Sequence, residues 1–276
     1  MSGTHRRNRV SPFGTFEAVA ERGLFMGNRG NLRRPDGTQK SWHARGWVCC
    51  LTSFRGRRID LDDPRRYTPL FFTDEAVALA AGHRPCGECR HADYQAFKTA
   101  WRRAFGLAED APLTAGDMDK TLHAARIARG RQTTFRAALR DLPAGTFVAL
   151  DDRPGEAFLV EPGALHRWSH AGYGPPLRVP GADVTVLTPR PTVAVLHAGY
   201  APRLARGDRA SPRLRAPSHS AAAERCLRGC STSRTRLSRE ISERLRAPVR
   251  VMATRISLAK RSMRFSTPFW PWVASA

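Results

Sequence analysis

The sequence predicts an α+β protein in two small units, a sheet-and-helix module built on a cysteine knuckle and a mixed α+β domain, followed by a basic tail. Three observations carry this. Strong helix start and stop signals flank a Cys-x2-Cys pair between residues 71 and 106. Short strand-like runs broken by Asp, Pro and Gly fill residues 144–188. Beyond Pro202 sustained periodicity disappears. The expected division is therefore a loop-rich segment at 1–40, the module at 41–106, the α+β domain at 107–203 and a disordered tail at 204–276.

Taken in order, "GLFMGNRGNLRRPDGTQ" reads as turns and loop. Within it Gly27, Asn28 and Gly30 permit left-handed backbone, either as an anion-facing nest of amides or, the favoured reading, as a plain surface turn. The spacing fits neither a Walker loop nor a dinucleotide fingerprint. Trp42 to Phe54 has the aromatic and β-branched content of a strand, and "RRIDL" offers the second strand of a hairpin across the basic turn Arg55, Gly56, Arg57, Arg58. "TPLFFTDEAVALAAG" reads as a helix with Thr73 or Asp74 as its N-cap, Gly82 as its stop and Pro85 forbidding continuation. After the cysteines, Tyr94, Phe97, Trp101 and Phe105 at spacings of three and four predict an amphipathic helix ending at Gly106. "MDKTLHAARIARG" predicts another, stopped by Gly130. "AGTFVALDD", "EAFLVEPGALHRWS" and "ADVTVLT" predict strands, and "TVAVLHAGYAP" a short closing helix.

Composition narrows the function classes. Hydrophobic residues are 41% and aromatic residues 8% of 276, a globular balance. No apolar run is long enough to span a bilayer, and the basic start has no apolar stretch behind it, so a cytoplasmic protein without a membrane partner is expected. The formal net charge of +22 suggests a polyanionic partner, nucleic acid above all. Much of that charge lies in residues 201–276, which hold 17 basic residues against 4 acidic ones, and Lys260 is their single lysine. Such a bias fits an arginine-rich nucleic-acid arm. It also fits a GC-rich gene read in a shifted frame or past its stop, which is the favoured reading and places the natural end near Pro202.

Six cysteines in a reducing compartment favour metal binding or reactivity over disulfides. Structural zinc takes four soft or borderline ligands in a tetrahedron, and Cys86-x2-Cys89, with small Gly87 between, supplies two from one knuckle. A redox pair would follow a strand, whereas here a helix precedes. The other thiolates must come from Cys49 and Cys50. Neighbours in a regular strand point to opposite faces, so one of the two is easily aimed at the site and both only through a bulge. The fourth ligand is open: the other member of the pair, His83, His43, His91 or a water. Zinc-bound thiolates stay nucleophilic, so Cys50 or Cys49 is also a candidate for chemistry, and Arg55, Arg57 and Arg58 could hold a phosphate backbone.

The run "LFFTDEAVALAAGHRPCGECRHADY" resembles the second half of the zinc-binding module of the Ada type, found in the bacterial response to DNA alkylation. Between Phe71 and Arg90, the residues Ala80, Ala81, Gly82, Arg84, Pro85, Cys86, Cys89 and Arg90 fit, and His83 stands where an aromatic is usual. The resemblance covers under a tenth of the chain. It implies a small sheet-and-helix fold with zinc on four cysteines, one of which accepts a methyl group from a DNA phosphotriester. The family's first pair is a C-x3-C; this chain offers adjacent Cys49 and Cys50 instead. "GLFMGNRG", "FRGRR", "LFFTDEAVALAAGHRPCGECR" and "LHA" also resemble a set of uncharacterised bacterial proteins, a likeness that implies no activity.

Other candidates are fewer. Asp119 and His123, four apart on a helix with Arg126 beyond, could form an oriented general base or an ordinary surface pair. His166, Trp168, His170 and Tyr173 could stack a base, although a hairpin with a buried Trp explains them as well. Cys226 and Cys230 reproduce a C-x3-C by coincidence of composition. No hydrolase elbow, zincin or paired-acid metal motif is present.

Overall fold

The computed structural model describes residues 5–205 except 58, 59, 129, 179, 180 and 182. Both helices and sheets are present, as the α+β expectation required. Residues 204 and 205 continue the described chain; the rest of the expected tail, with Cys226, Cys230 and Lys260, lies outside the described residues, as does Arg58.

The first sheet collects β1 (Arg9–Val10), β2 (Phe16–Glu17), β3 (Phe25–Asn28), β4 (Val48–Leu51) and β5 (Leu70–Phe72). Next come α1 (Glu75–Ala80), the short β6 (Arg84–Pro85), α2 (His91–Ala104) and α3 (Ala115–Arg126). A two-strand ribbon of β7 (Ile127–Ala128) and β8 (Arg131–Gln132) leads to β9 (Phe135–Ala138), β10 (Phe147–Ala149), β11 (Phe158–Glu161), β12 (Ala164–Ser169), β13 (Gly172–Leu177) and β14 (Asp183–Val186). The helix α4 (Arg190–His197) closes the series. The first sheet is mixed, in the order β2-β1-β5-β3-β4-β6. The second is antiparallel, in the order β13-β12-β11-β10-β14-β9.

Local departures from the sequence reading have identifiable causes. "FMGN" is a strand, not a turn: Gly27 lies between Cys49 and Leu70, and a Cβ there would come within 2.5 Å of the Phe72 ring. The glycine therefore serves close strand-to-ring packing, not an anion nest. Segment 1–40 consequently supplies three of the six strands around Cys49 and Cys50. The expected hairpin between "VCCL" and "RRIDL" does not form, because β4 already pairs with β3 on one edge and β6 on the other. Asp60 and Leu61 lie outside any strand. Leu70–Phe72, read as the lead-in of a helix, is a strand whose residues pair with Gly27, Met26 and Phe25. The helix starts after Asp74, whose carboxylate accepts the Val77 amide. It ends as expected, with Gly82 at φ +84°. α3 stops at Arg126, earlier than "ARG" suggests, since Ile127 and Ala128 turn into the ribbon.

Every residue of α1 is buried, so this helix is a core element and not an amphipathic surface one. Ala76, Val77 and Ala80 pack with Phe25, Leu70 and Phe72 of the first sheet and with Phe147 and Leu159 of the second. Leu79 joins Phe97 and Trp101 of α2, Met118 and Leu122 of α3 and Leu196 of α4 in a second cluster. The acids at its start are buried too. Glu75 forms a 2.7 Å ion pair with Arg90 and accepts from the Tyr200 hydroxyl and the Arg203 amide. Asp74 accepts from the Tyr173 hydroxyl of β13 at 2.6 Å and from the Ala205 amide at 3.0 Å. Both side chains of the Glu75–Arg90 pair are 0% exposed.

Breaking such a pair leaves one buried charge uncompensated. Arg90→Met is expected to lower unfolding stability by about 3–5 kcal/mol, read from denaturant titration. A loss within the noise of the measurement would show that Glu75 is not held by this pair.

Candidate metal centre

Strand β4 brings Cys50 to the site, and the turn between β6 and α2 brings Cys86 and Cys89. Parallel pairing of β4 with β6 sets Cys49 opposite Pro85, and the Cys86 amide then donates to the Cys49 carbonyl at 3.0 Å. This register lays the knuckle alongside Cys50. The three sulfurs lie within 4.8 Å of one another, and all three residues are partly buried. A backbone amide, that of Leu51, donates to the Cys89 sulfur at 3.3 Å. A Cβ on Gly87 would make only ordinary contact with Tyr94, so its smallness is not what shapes the knuckle.

Three thiols this close cannot each titrate alone. Hydrogen bonding to Cys86 and then Cys89, with burial, pushes the Cys50 thiol far up. The bonds from Cys50 and Cys89, helped by the amides of Cys89 and Glu88, pull Cys86 down. The three sulfurs thus compete for protons that burial and their neighbours distribute unequally. A divalent cation can replace those protons, which is what a thiolate metal site requires. Tyr67, half-buried, stands near enough for all three sulfurs to raise its phenol further, although burial is the larger cause.

The adjacent pair divides between the two faces of β4. Cys50 reaches the cluster, whereas Cys49 is fully buried in the core, its thiol pushed up by burial, and accepts from the Arg90 guanidinium at 3.3 Å. With no bulge in the register of β3 and β4, Cys49 is not brought to the cluster. Nor are the histidines. His83, despite its spacing of three from Cys86, follows the Gly82 turn inward, where its Nε2 accepts from Arg29 at 3.2 Å between the Trp47 and Phe72 rings. His43 is an exposed residue whose amide donates to the Arg29 carbonyl. His91 bonds through Nδ1 to the Gly87 carbonyl and through Nε2 to Gln95.

Asp119 and His123 do not form the expected pair. Asp119 takes a two-point contact from Arg84 at 2.9 and 2.7 Å, and His123 packs edge-on against Trp42, with Arg126 at its Nδ1. A buried guanidinium outcompetes an imidazole for the carboxylate. The cluster His166, Trp168, His170 and Tyr173 is the hairpin of β12 and β13. His166 bonds to the Gly174 carbonyl, His170 to Glu17, and Tyr173 to Asp74. Arg55 and Arg57 lie over the Phe54 ring, and the exposed Arg57 pairs with Glu88, inside the knuckle, at 2.7 Å. The basic turn therefore does sit beside the cysteines.

Sequence reasoning missed Glu75 as Arg90's partner and the surroundings of His83. The "DE" dipeptide signals a helix start, and nothing in it says that both acids are buried. A scan against family models, a search of curated proteins and a search of solved structures each find no match to this chain. Among the described residues no helix is long and apolar enough to cross a membrane.

Burial, then the nearby charges of Arg29 and Arg126, push His83 well below its ordinary 6.5. Its folded value is depressed, so between that value and 6.5 the unfolded chain binds more protons and stability rises with pH. Stability is expected to fall as pH drops below 6.5, by up to about 1.4 kcal/mol per unit for this one group, and that share of the slope should vanish in His83→Gln. An unchanged slope in the variant would mean that His83 takes up its proton in the folded protein.

Proposed function

We propose that Cys50, Cys86 and Cys89 hold a zinc ion in an Ada-like module that contacts nucleic acid. The observation that carries the metal reading is the convergence of three sulfurs from two separate elements. In a tetrahedral zinc site with Zn–S of about 2.3 Å, sulfurs stand about 3.8 Å apart, which the 4.8 Å bound accommodates. Sulfur donors suit zinc among the divalent ions, and the fold supplies the Leu51 amide that steadies one of them. With Cys49 committed to Arg90, the three-sulfur set leaves one coordination position for a fourth donor other than the described cysteines.

The nucleic-acid part rests on the placement of Arg55 and Arg57 beside the knuckle, where a phosphate backbone could displace Glu88 from Arg57. A reactive role is the second reading, favoured by the partial exposure of Cys50. Its zinc-bound thiolate would attack the methyl carbon of a DNA methyl phosphotriester, forming S–CH3 and releasing the phosphodiester anion. A purely structural zinc supporting an interaction surface is the blander alternative.

The full chain is expected to carry about one zinc per molecule by elemental analysis. Serine at Cys50, Cys86 or Cys89 should each abolish or sharply reduce it, and serine at Cys49 should leave it bound. Retention of zinc by both Cys86→Ser and Cys89→Ser would sink the metal reading. Binding to DNA should weaken steeply with salt and fall further in Arg55→Gln/Arg57→Gln. DNA binding that disappears once residues 206–276 are removed would move the contact from the module to the tail.

A further inference from the structure

A second site, independent of the cysteines, is built from arginines. Arg29, Arg84 and Arg126 are 2%, 5% and 1% exposed. Asp119 is the carboxylate among them: it is held by Arg84, and it also lies close enough to favour the charge on Arg126. Arg29 donates to neutral acceptors, namely His83 Nε2 and the carbonyls of Gly14, Ser41 and Ala81, at 3.2 to 3.5 Å. Arg126 donates to the Gly82 carbonyl at 2.6 Å, the Arg45 carbonyl and His123, and its buried Nε has no partner among the described residues. Both guanidiniums stack on the Trp47 indole, at 4.0 and 3.6 Å from its ring centre. Three buried cations against one carboxylate is a costly arrangement unless an anion completes it.

Arg29, Arg126 and Trp47 line a cavity of about 840 Å³. Its wall includes Arg29, Arg126, Trp47 and Phe16, together with the exposed Arg7 and Arg131. Among the described residues no aspartate or glutamate lines it. Its size is that of an organic ligand pocket and is far larger than a bare inorganic ion needs.

The geometry points to a phosphoryl-binding site, in which Arg29 and Arg126 grip a phosphate group carried by a nucleotide-sized molecule or by the end of a nucleic-acid strand. Planar guanidinium forks match phosphate oxygens two at a time, and a phosphate would take the unpartnered Arg126 Nε and displace the longest Arg29 bonds, those to Gly14 and Ala81 at 3.5 and 3.4 Å. A dianion matches an excess of two buried positive charges, whereas a single carboxylate would leave one uncovered. Burial, with the mutual repulsion of the pair, holds Arg29 well below its ordinary range, and burial holds Arg126 down at about 9, so a bound anion would favour the charged form of both. The aromatic rings of Phe16 and Trp47 already carry the guanidiniums, so ligand specificity beyond the phosphate falls to the remaining cavity wall.

The test titrates the full chain by calorimetry with inorganic phosphate, adenosine monophosphate, succinate, and a short single-stranded DNA with and without a 5′-phosphate. Saturable binding of the phosphate probes, at least about tenfold tighter for the monophosphate than for succinate, is expected. Competition by the 5′-phosphorylated strand alone would assign the carrier to a strand end; its failure to compete would assign a small molecule. Arg29→Lys and Arg126→Lys keep the charge and lose the fork, and each should weaken binding at least about tenfold. Should these buried variants not fold, Arg7→Gln/Arg131→Gln on the exposed wall decides, with a loss of at least about threefold expected. No saturable phosphate binding, equal affinity for succinate, or undiminished binding in the folded variants would each overturn the site. Zinc content is unaffected in every arm, so failure here and failure of the metal reading are distinguishable.

Discussion

The ion pair between Glu75 and Arg90 is the constraint on which the rest of the molecule depends. Neither side chain reaches solvent, and each reaches several elements at once. Glu75 opens α1 and accepts from Tyr200 and Arg203 at the far end of the described chain. Arg90 closes the knuckle, pairs with Asp93 in the first turn of α2, lies over the Phe25 ring of β3 and donates to the Cys49 sulfur. The pair thereby fixes the position of Cys86 and Cys89 relative to β4. A buried pair stabilises little compared with an apolar replacement, but it tolerates few alternative arrangements once its hydrogen bonds are assigned.

From that constraint follows the division of labour between adjacent cysteines. The two-residue period of a strand sends Cys49 to Arg90 and the core, and Cys50 to the knuckle. The same strand is entered by Trp47, buried on the Cys49 side, where it carries the two guanidiniums of the cavity. One short run, "WVCC", thus contributes to the core, to a sulfur cluster on one face and to a cationic cavity on the other. The two sites therefore adjoin along the run from Trp47 to Cys50 without sharing a ligand atom.

Much of this was legible in residue order, and what was not legible was non-local. The cap at Asp74, the left-handed stop at Gly82, the helix carrying Phe97 and Trp101 and the hairpin with Trp168 are local chemistry, and local chemistry reads directly. Cys50 with Cys86 and Cys89 was legible because strand alternation and a knuckle are both short-range rules. The strand in "FMGN" was hidden because glycine and asparagine are poor strand formers, and only the Phe72 ring explains why glycine is there. The fate of Asp119 was hidden too. Its helical neighbour His123 was visible four residues away, whereas Arg84, thirty-five residues away and far more strongly attracting, was not. The buried arginines around Trp47 went unread because arginine in a basic chain signals surface.

Extended X-ray absorption at the zinc edge tests the central claim most directly, because it counts sulfur donors without altering a residue. The account predicts three sulfurs at about 2.3 Å and one lighter nitrogen or oxygen donor at about 2.0–2.1 Å. Four sulfurs would contradict it, since Cys49 or a cysteine outside the described residues would then have to leave its assigned role and close the site.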